Sequence, residues 1–220
     1  MKHASLGLVL GLFLFGCGDD NNATNPAGTG NGMAAIRVML TDAPSDYIAT
    51  AEVVISRVYL KASAEDAEDD GLGDAAAAGE IDLLDETDGP ITLDLLQLRD
   101  GLEALLGEVP VEPGVYHQLR LVVDDATLTL VDGYEFPDGT NTAALKTPSA
   151  HKSGIKVQLA DPIPADEGKV TIVVVDFDVN DNFVIQGNPD TPAGIKGVLF
   201  KPVLKEKSRV QEDDTEGDDL

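Results

Sequence analysis

The stretch best suited to do chemistry is VDFDVNDNF, which ends a strongly apolar segment. Calcium takes about six to eight hard oxygen ligands, and alternating Asp and Asn on a tight loop can supply them. The calcium-loop pattern D-x-[DN]-x-[DN]-G-x5-E fails here, because Asp181 stands where Gly is required and Gly187 where Glu is required. This excludes an EF-hand and leaves an irregular calcium site as a hypothesis, with five candidate ligands: Asp176, Asp178, Asn180, Asp181 and Asn182.

A structural turn is the other interpretation of the same residues, and the commoner role of such clusters. In that case Asp176 and Asp178 accept hydrogen bonds from turn amides, while Asn180 and Asn182 adopt turn conformations that other residues resist. The two aspartates also share strand parity with apolar residues, so two carboxylates would end one face of a strand and need partners. The apolar residues of that row are Val170, Ile172 and Val174.

His117 has the parity of an apolar row formed by Val115, Leu119, Leu121 and Val123. A lone His in such a row is more typical of a packed or hydrogen-bonded core residue than of a ligand, because metal binding and acid-base work need companions. Ser149 and Lys152 match the S-x-x-K of penicillin-binding enzymes, but the accompanying K-T-G and S-D-N stretches are missing. The chain also lacks G-x-S-x-G, H-E-x-x-H and paired cysteines.

The one cysteine, Cys17, follows a basic start and an apolar run from Leu6 to Phe15. That run is about half as long as the roughly 20 residues that a helix needs to cross a bilayer. Its length and its basic start are typical of a secretory signal. Leu14-Phe15-Gly16-Cys17 resembles the lipobox of bacterial lipoproteins, which implies a lipid on Cys17, removal of residues 1–16 and a membrane partner. By the same resemblance, Gly18, the residue after the cysteine, favours sorting of the protein to the outer membrane. The alternative is an ordinary signal peptide with an incidental cysteine.

Charge and composition narrow the classes of partner. Forty acidic residues against 15 basic ones give a net charge of -25. This charge argues against nucleic-acid binding, which depends on neutralising phosphates with Lys and Arg, and against electrostatic docking on an anionic membrane. Residues 17–32 carry no large apolar side chain after the cysteine and are predicted to form a flexible tether. The acidic residues 205–220 are predicted to form a disordered tail.

Residues 33–204 read mostly as strands, in runs of β-branched residues separated by Gly, Pro, Asn and Asp. The stretch LRDGLEALLGE reads as the only helix, with Leu98, Leu102, Leu105 and Leu106 at helical spacing and Gly107 as its end. This pattern predicts an all-β fold, an antiparallel Greek-key β-sandwich with one short helix. A barrel is the alternative.

Several short motifs occur in an order that resembles a bacterial lipoprotein family, domain of unknown function 4382. They are MLTDAP, TLDLLQL, PGVYHQLRLVV, TPSAHKSGIKV, VVDFDVND and LFKPVL, between Met39 and Leu204. The resemblance implies a transthyretin-like β-sandwich on an exported, anchored protein. It implies no reaction and assigns no functional residue.

Two hypotheses about function follow. The first is a lipid-anchored module of the cell envelope that binds a partner protein, a polysaccharide or calcium, or has a structural role. The second is an envelope enzyme, most plausibly a carboxylate-dependent hydrolase, which two inward carboxylates with raised pKa values would favour.

Overall fold

The computed structural model describes residues 32–62, 79–147, 153–191 and 194–214. Cys17, the predicted tether as far as residue 31, and the S-x-x-K residues Ser149 and Lys152 lie outside these ranges. The described residues are mostly strands: β1 Ala34–Thr41, β2 Ile48–Lys61, β3 Glu80–Leu84, β4 Ile91–Asp94, β5 Ala104–Val111, β6 Gly114–Tyr116, β7 Gln118–Leu130, β8 Thr142–Leu145, β9 Ile155–Gln158, β10 Ile163–Ala165, β11 Lys169–Asp176, β12 Phe183–Asn188, β13 Gly194–Phe200 and β14 Leu204–Asp213. A short α-helix, α1, spans Val179–Asn182. The predicted all-β class with one short helix is confirmed.

A continuous sheet of ten strands has the order β3-β2-β7-β9-β14-β11-β1-β5, with β4 also paired to β2 and β8 to β7. Two ribbons, β6 with β10 and β12 with β13, complete the fold. The sheet is mixed, because β1 with β11 and β9 with β14 run parallel beside the antiparallel pairs. Apolar side chains from both halves of the strand order share one core, which gives a β-sandwich-like arrangement.

The two ends of the strand order approach each other at a glycine. A Cβ placed on Gly107 in β5 would lie 2.3 Å from the backbone oxygen of Leu83 in β3. Only a residue without a side chain fits so close to another backbone. Gly107 therefore lets the outer strands β3 and β5 meet.

The predicted position of the helix is wrong. Leu95–Leu98 form a 3-10 turn, and Ala104–Val111 form strand β5. β5 pairs with β1, with Val111 opposite Ala34 and Ala104 opposite Leu40. Asp100 and Gly101 between them have positive φ angles of 61° and 86°, which end any right-handed helix. Leu102 and Leu105 are exposed, so the four leucines do not form one apolar face.

The predicted start of the acidic tail is also wrong. Residues 204–213 form β14, which pairs with β11 from Lys205 at Asp176 to Asp213 at Lys169. Backbone hydrogen bonding to β11 depends little on side-chain charge, so a charged sequence can still form this strand. Arg209 and Glu206 form a largely buried ion pair at 2.7 Å within it. Residues 215–220 lie outside the described ranges.

Candidate functional site

The Asp/Asn cluster lies where the parallel strands β1 and β11 end together. Thr41, the last residue of β1, is opposite Asp176, the last residue of β11. The amide of Phe177 donates a hydrogen bond to the carbonyl of Thr41 at 3.0 Å, which continues the pairing by one residue. This end of the sheet also carries Asp42, so carboxylates from distant parts of the chain meet here.

Asp178 caps the N-terminus of α1. Its Oδ1 accepts hydrogen bonds from the amides of Asn180 at 2.8 Å and Asp181 at 3.3 Å, as an N-cap residue does. The side-chain amide of Asn180 donates to the carbonyl of Pro44 at 2.8 Å, which joins α1 to the segment after β1. The structural-turn interpretation is confirmed for Asp178.

Asn182 connects two segments, α1 and the connection between β13 and β14, from a fully buried position. Its Nδ2 donates to the carbonyl of Asp178 at 2.7 Å, and its Oδ1 accepts from the amide of Val203. Its own carbonyl accepts from the amide of Lys201 at 2.8 Å. The side chain thus holds α1 against the connection between β13 and β14.

Asp181 and Asp176 have different surroundings. Asp181 forms an ion pair with Lys205 at 2.9 Å between side chains that are half exposed, and its hydrogen bond raises the pKa of Lys205. Burial raises the pKa of Asp176, while Lys207 opposes that rise. Within the described part of the chain, no three His, Cys, Asp or Glu side chains are arranged to hold a metal ion. The calcium site stays a prediction.

Asp42 was not among the residues singled out from the sequence, yet it is the most perturbed carboxyl of this group. It is 4% exposed, its Oδ1 accepts from the amide of Val179 at 2.8 Å, and its Oδ2 has no hydrogen-bond partner. Burial raises its pKa to about 6. Hydrogen bonds from the Ala43 and Val179 amides oppose this rise, whereas the negative charges of Asp178 and Asp176 add to it. The signal was present in the sequence, since Asp42 continues the parity of the buried residues Ile36, Val38 and Leu40.

We expect Asp42 to make the protein less stable as the pH rises. Its carboxyl has a pKa of about 6 in the folded chain, against 3.8 for an ordinary aspartate, so the folded state binds more protons between these two pH values. The free energy of unfolding therefore falls as the pH rises from about 4 to above about 6. The Asp42→Asn variant removes this component, on the order of 2–3 kcal/mol. Urea unfolding at about pH 4 and about pH 7.5 measures this difference in the free energy of unfolding. The control is Asp46→Asn, at an exposed position. Parallel pH profiles for Asp42→Asn and wild type would contradict the prediction.

His117 lies in the break between β6 and β7 and is half-buried. Its amide donates to the carbonyl of Lys61 at 2.9 Å, which fixes its backbone to the end of β2. The side chain does not pack in the core as the apolar row predicted, because the strand is interrupted at this residue. It lines a cleft of about 540 Å³ whose other wall runs from Lys156 to Pro162. The cleft does not include the Asp/Asn cluster.

In the described ranges, no helix is both long and apolar enough to cross a membrane. A search of the curated proteins finds no match for the chain. Among solved structures, the chain is similar to one described as "a putative cell adhesion protein from Bacteroides ovatus ATCC 8483", with 10% identity and a TM-score of 0.23. The similarity covers 83% of this chain and 45% of that protein, so the chain spans less than half of its length. A TM-score this low carries no argument about function.

The family comparison covers most of the described structure. The family model described as Domain of unknown function (DUF4382) matches residues 33–202. The match begins just before β1, includes the Asp/Asn cluster and the cleft, and ends just before β14. It confirms the family resemblance seen in the ordered motifs from MLTDAP to LFKPVL. The chain belongs to the DUF4382 family.

Proposed function

We propose that this protein is a non-catalytic binding or structural module of the bacterial cell envelope, held to a membrane by lipid on Cys17. The sequence LFGC after a short apolar run supports the anchor. Residues 18–32 then act as a tether between the lipid and the folded part. A lipoprotein typically carries more than one acyl chain, which makes its attachment to the membrane stable. Gly18, directly after the lipidated cysteine, supports a location in the outer membrane.

The observation that carries the non-catalytic assignment is the use of the acidic cluster as a structural joint. Asp178 caps α1, Asp181 forms an ion pair with Lys205, and Asn182 is hydrogen-bonded on both sides. A general acid or base must be able to reach a substrate proton. Side chains committed to the fold in this way are poorly suited to that role.

Mass spectrometry of the mature N-terminus tests the anchor. We expect a diacylated or triacylated Cys17 as the first residue, and membrane fractionation of the bacterial cells should place the protein in the pellet. The Cys17→Ala variant should lose both the acyl mass and the membrane association. An unmodified N-terminus at any other residue in the wild-type protein would contradict the anchor.

A carboxylate-dependent hydrolase is the second candidate, and one observation favours it. Asp42 and Asp176, at the ends of adjacent strands, both have pKa values raised by burial. Raised carboxyl pKa values are typical of general acids. A polysaccharide-hydrolysis assay with Asp42→Asn and the control Asp46→Asn tests this candidate: turnover lost only in Asp42→Asn supports it, and no turnover by the wild-type protein contradicts it.

A further inference from the structure

The parallel strands β1 and β11 carry apolar side chains on both sides of the sheet. Val38 of β1 and Val173 of β11 are paired and fully buried in the core. The next residues, Met39 and Val174, are also paired. They point to the opposite side, because side chains alternate along a strand, and neither belongs to the core cluster. We call the side of β14, β11, β1 and β5 that points away from the core the β1–β11 face.

Exposed apolar side chains extend this face on both sides. Leu105 of β5 lies opposite Met39 and is 54% exposed. Val210 of β14 lies opposite Ile172 and is 53% exposed. Met39 and Ile172 themselves are half-buried. An apolar band therefore crosses four neighbouring strands, from Val210 to Leu105, and part of it is open to solvent.

The side of β2 and β7 that points away from the core is built differently. Glu52 and Thr50 of β2 lie opposite Thr127 and Thr129 of β7, and all four are half-buried or exposed. Polar side chains outside and apolar ones inside are typical of an antiparallel sheet with one face in water, whereas parallel strands are normally covered on both faces. The contrast within one sheet indicates that the β1–β11 face has a cover.

The rest of the chain has little to offer as that cover. Once residues 1–16 are removed, the segments outside the described ranges contain no Phe, Tyr or Trp. Leu72 and Leu220 are their only aliphatic residues larger than alanine, and both stand among acidic residues, in EDDGLGD and TEGDDL. Apolar side chains on four strands need more apolar surface than this. The cover therefore comes from another molecule.

The charges on the β1–β11 face favour a second copy of the chain. Its paired positions carry two basic side chains, Arg37 and Lys205, against three acidic ones, Glu108, Asp176 and Glu212. The whole chain has 40 acidic residues against 15 basic ones. A basic partner is attracted to the acidic surfaces elsewhere, and a second copy is repelled by them. The nearly balanced, apolar β1–β11 face is where two copies can approach each other.

We propose that two copies of this chain associate face to face through their β1–β11 faces, around a two-fold axis. The same surface then meets itself, as in other isologous dimers. An axis along the strands places the start of β1, and so both proposed tethers, at the same end of the dimer. Met39 and Ile172 lie near the middle of the face and become buried. The inference goes beyond the proposed function and takes from it the removal of residues 1–16 and the anchor.

The size of the face sets the strength of this association. Strands about 4.8 Å apart with about 3.3 Å per residue give four strands of eight residues an area on the order of 500 Å². A standard interface buries roughly 800 Å² on each partner. The dimer is therefore weak in dilute solution, and it is favoured where lipid anchors concentrate both copies on one membrane.

Cysteine cross-linking in membranes tests this face. Cys17 is the only cysteine of the chain and is consumed by the proposed lipid, so an introduced thiol is unique. Met39→Cys places a thiol near the middle of the face, and Thr127→Cys, also half-buried but on β7, is the matched control. A bismaleimide that spans the roughly 10 Å between stacked sheets should link Met39→Cys chains at least about tenfold more often than Thr127→Cys chains. The wild-type chain gives the background.

Charged variants of the face should break the dimer. In the Met39→Cys background, Val210→Glu and Leu105→Glu should each lower the cross-linked fraction about tenfold. Val184→Glu adds the same charge at an exposed valine of β12 and should leave that fraction unchanged. Raising NaCl from about 0.05 M to about 0.5 M should increase the fraction, because salt screens the repulsion between two acidic chains. Thermal melting of each variant shows that the fold is kept.

Three results would overturn the inference: equal cross-linking of Met39→Cys and Thr127→Cys, an unchanged dimer fraction in both glutamate variants, or a cross-link from Met39→Cys to a different protein. Absence of the dimer in membranes where Cys17 carries its acyl mass would contradict the face and leave the anchor standing. A dimer of chains that lack the acyl mass, formed at high protein concentration, would contradict the anchor and leave the face standing.

Discussion

Replacing Phe177 by alanine is expected to lower the free energy of unfolding by about 3–5 kcal/mol. Phe177 is fully buried, and its ring stacks with Phe183 and Phe200 at centroid distances of 6.5 and 6.3 Å. Phe183 and Phe200 lie 4.9 Å apart and pair across the β12–β13 ribbon. The three rings therefore attach this ribbon to the end of β11. Truncation at Phe177 leaves a cavity and removes both ring contacts.

Urea unfolding measures this loss, and Phe177→Leu is the matched control. Leucine keeps much of the buried volume, so we expect a cost of about 1–1.5 kcal/mol. The alanine variant should also expose the β12–β13 ribbon to proteolysis before the rest of the chain. A cost below that of the leucine variant would show that the aromatic cluster does not hold the ribbon.

Replacing Asn182 by alanine is expected to destabilise the fold by about 3 kcal/mol. The change removes the acceptor of the Val203 amide and the donor to the Asp178 carbonyl. The Val203 amide is part-buried, and a polar group left there without a partner carries a desolvation cost. The Asp178 carbonyl keeps the hydrogen bond from the Asn182 backbone amide at 3.0 Å. The effect is larger than that of an ordinary exposed hydrogen bond because the contact to Val203, 21 residues away, is lost together with the local contact to Asp178 at the start of α1.

Asn180→Ala is the control for this prediction. Asn180 is exposed and makes one side-chain hydrogen bond, to Pro44, so we expect a cost below about 1 kcal/mol. Thermal unfolding followed by circular dichroism compares the two variants. Equal melting temperatures for Asn182→Ala and Asn180→Ala would contradict the structural role of Asn182, and would return it to the candidate ligands of a bound cation.

Both predictions concern the joint that the sequence offered as a calcium loop or a structural turn. The residue types at 176–182 limited the possibilities to these two, because Asp and Asn accept backbone hydrogen bonds and also bind hard cations. The partners could not be predicted, since Val203 and Pro44 come from other parts of the chain. Asp42 is the clearest case: it lies 137 residues from the Val179 amide that it binds.

The error over the helix has a similar cause. Leucines at 98, 102, 105 and 106 fit a helical repeat, but Leu102 and Leu105 are exposed and β5 is paired along β1. Pairing with β1 supplies backbone hydrogen bonds that a local leucine pattern cannot foresee. The tail was misjudged for the same reason, because β14 is held by β11 in spite of its charged sequence.

The sequence by itself determined the all-β class and the family, because these depend on strand periodicity and ordered motifs. Local composition was also sufficient to predict that residues 176–182 form a turn at the end of an apolar strand. The tertiary structure alone decided the burial of Asp42, the joint around Asn182 and the cleft beside His117. Each of these depends on which strands become neighbours, and strand pairing is a long-range property that residue types along one segment do not specify.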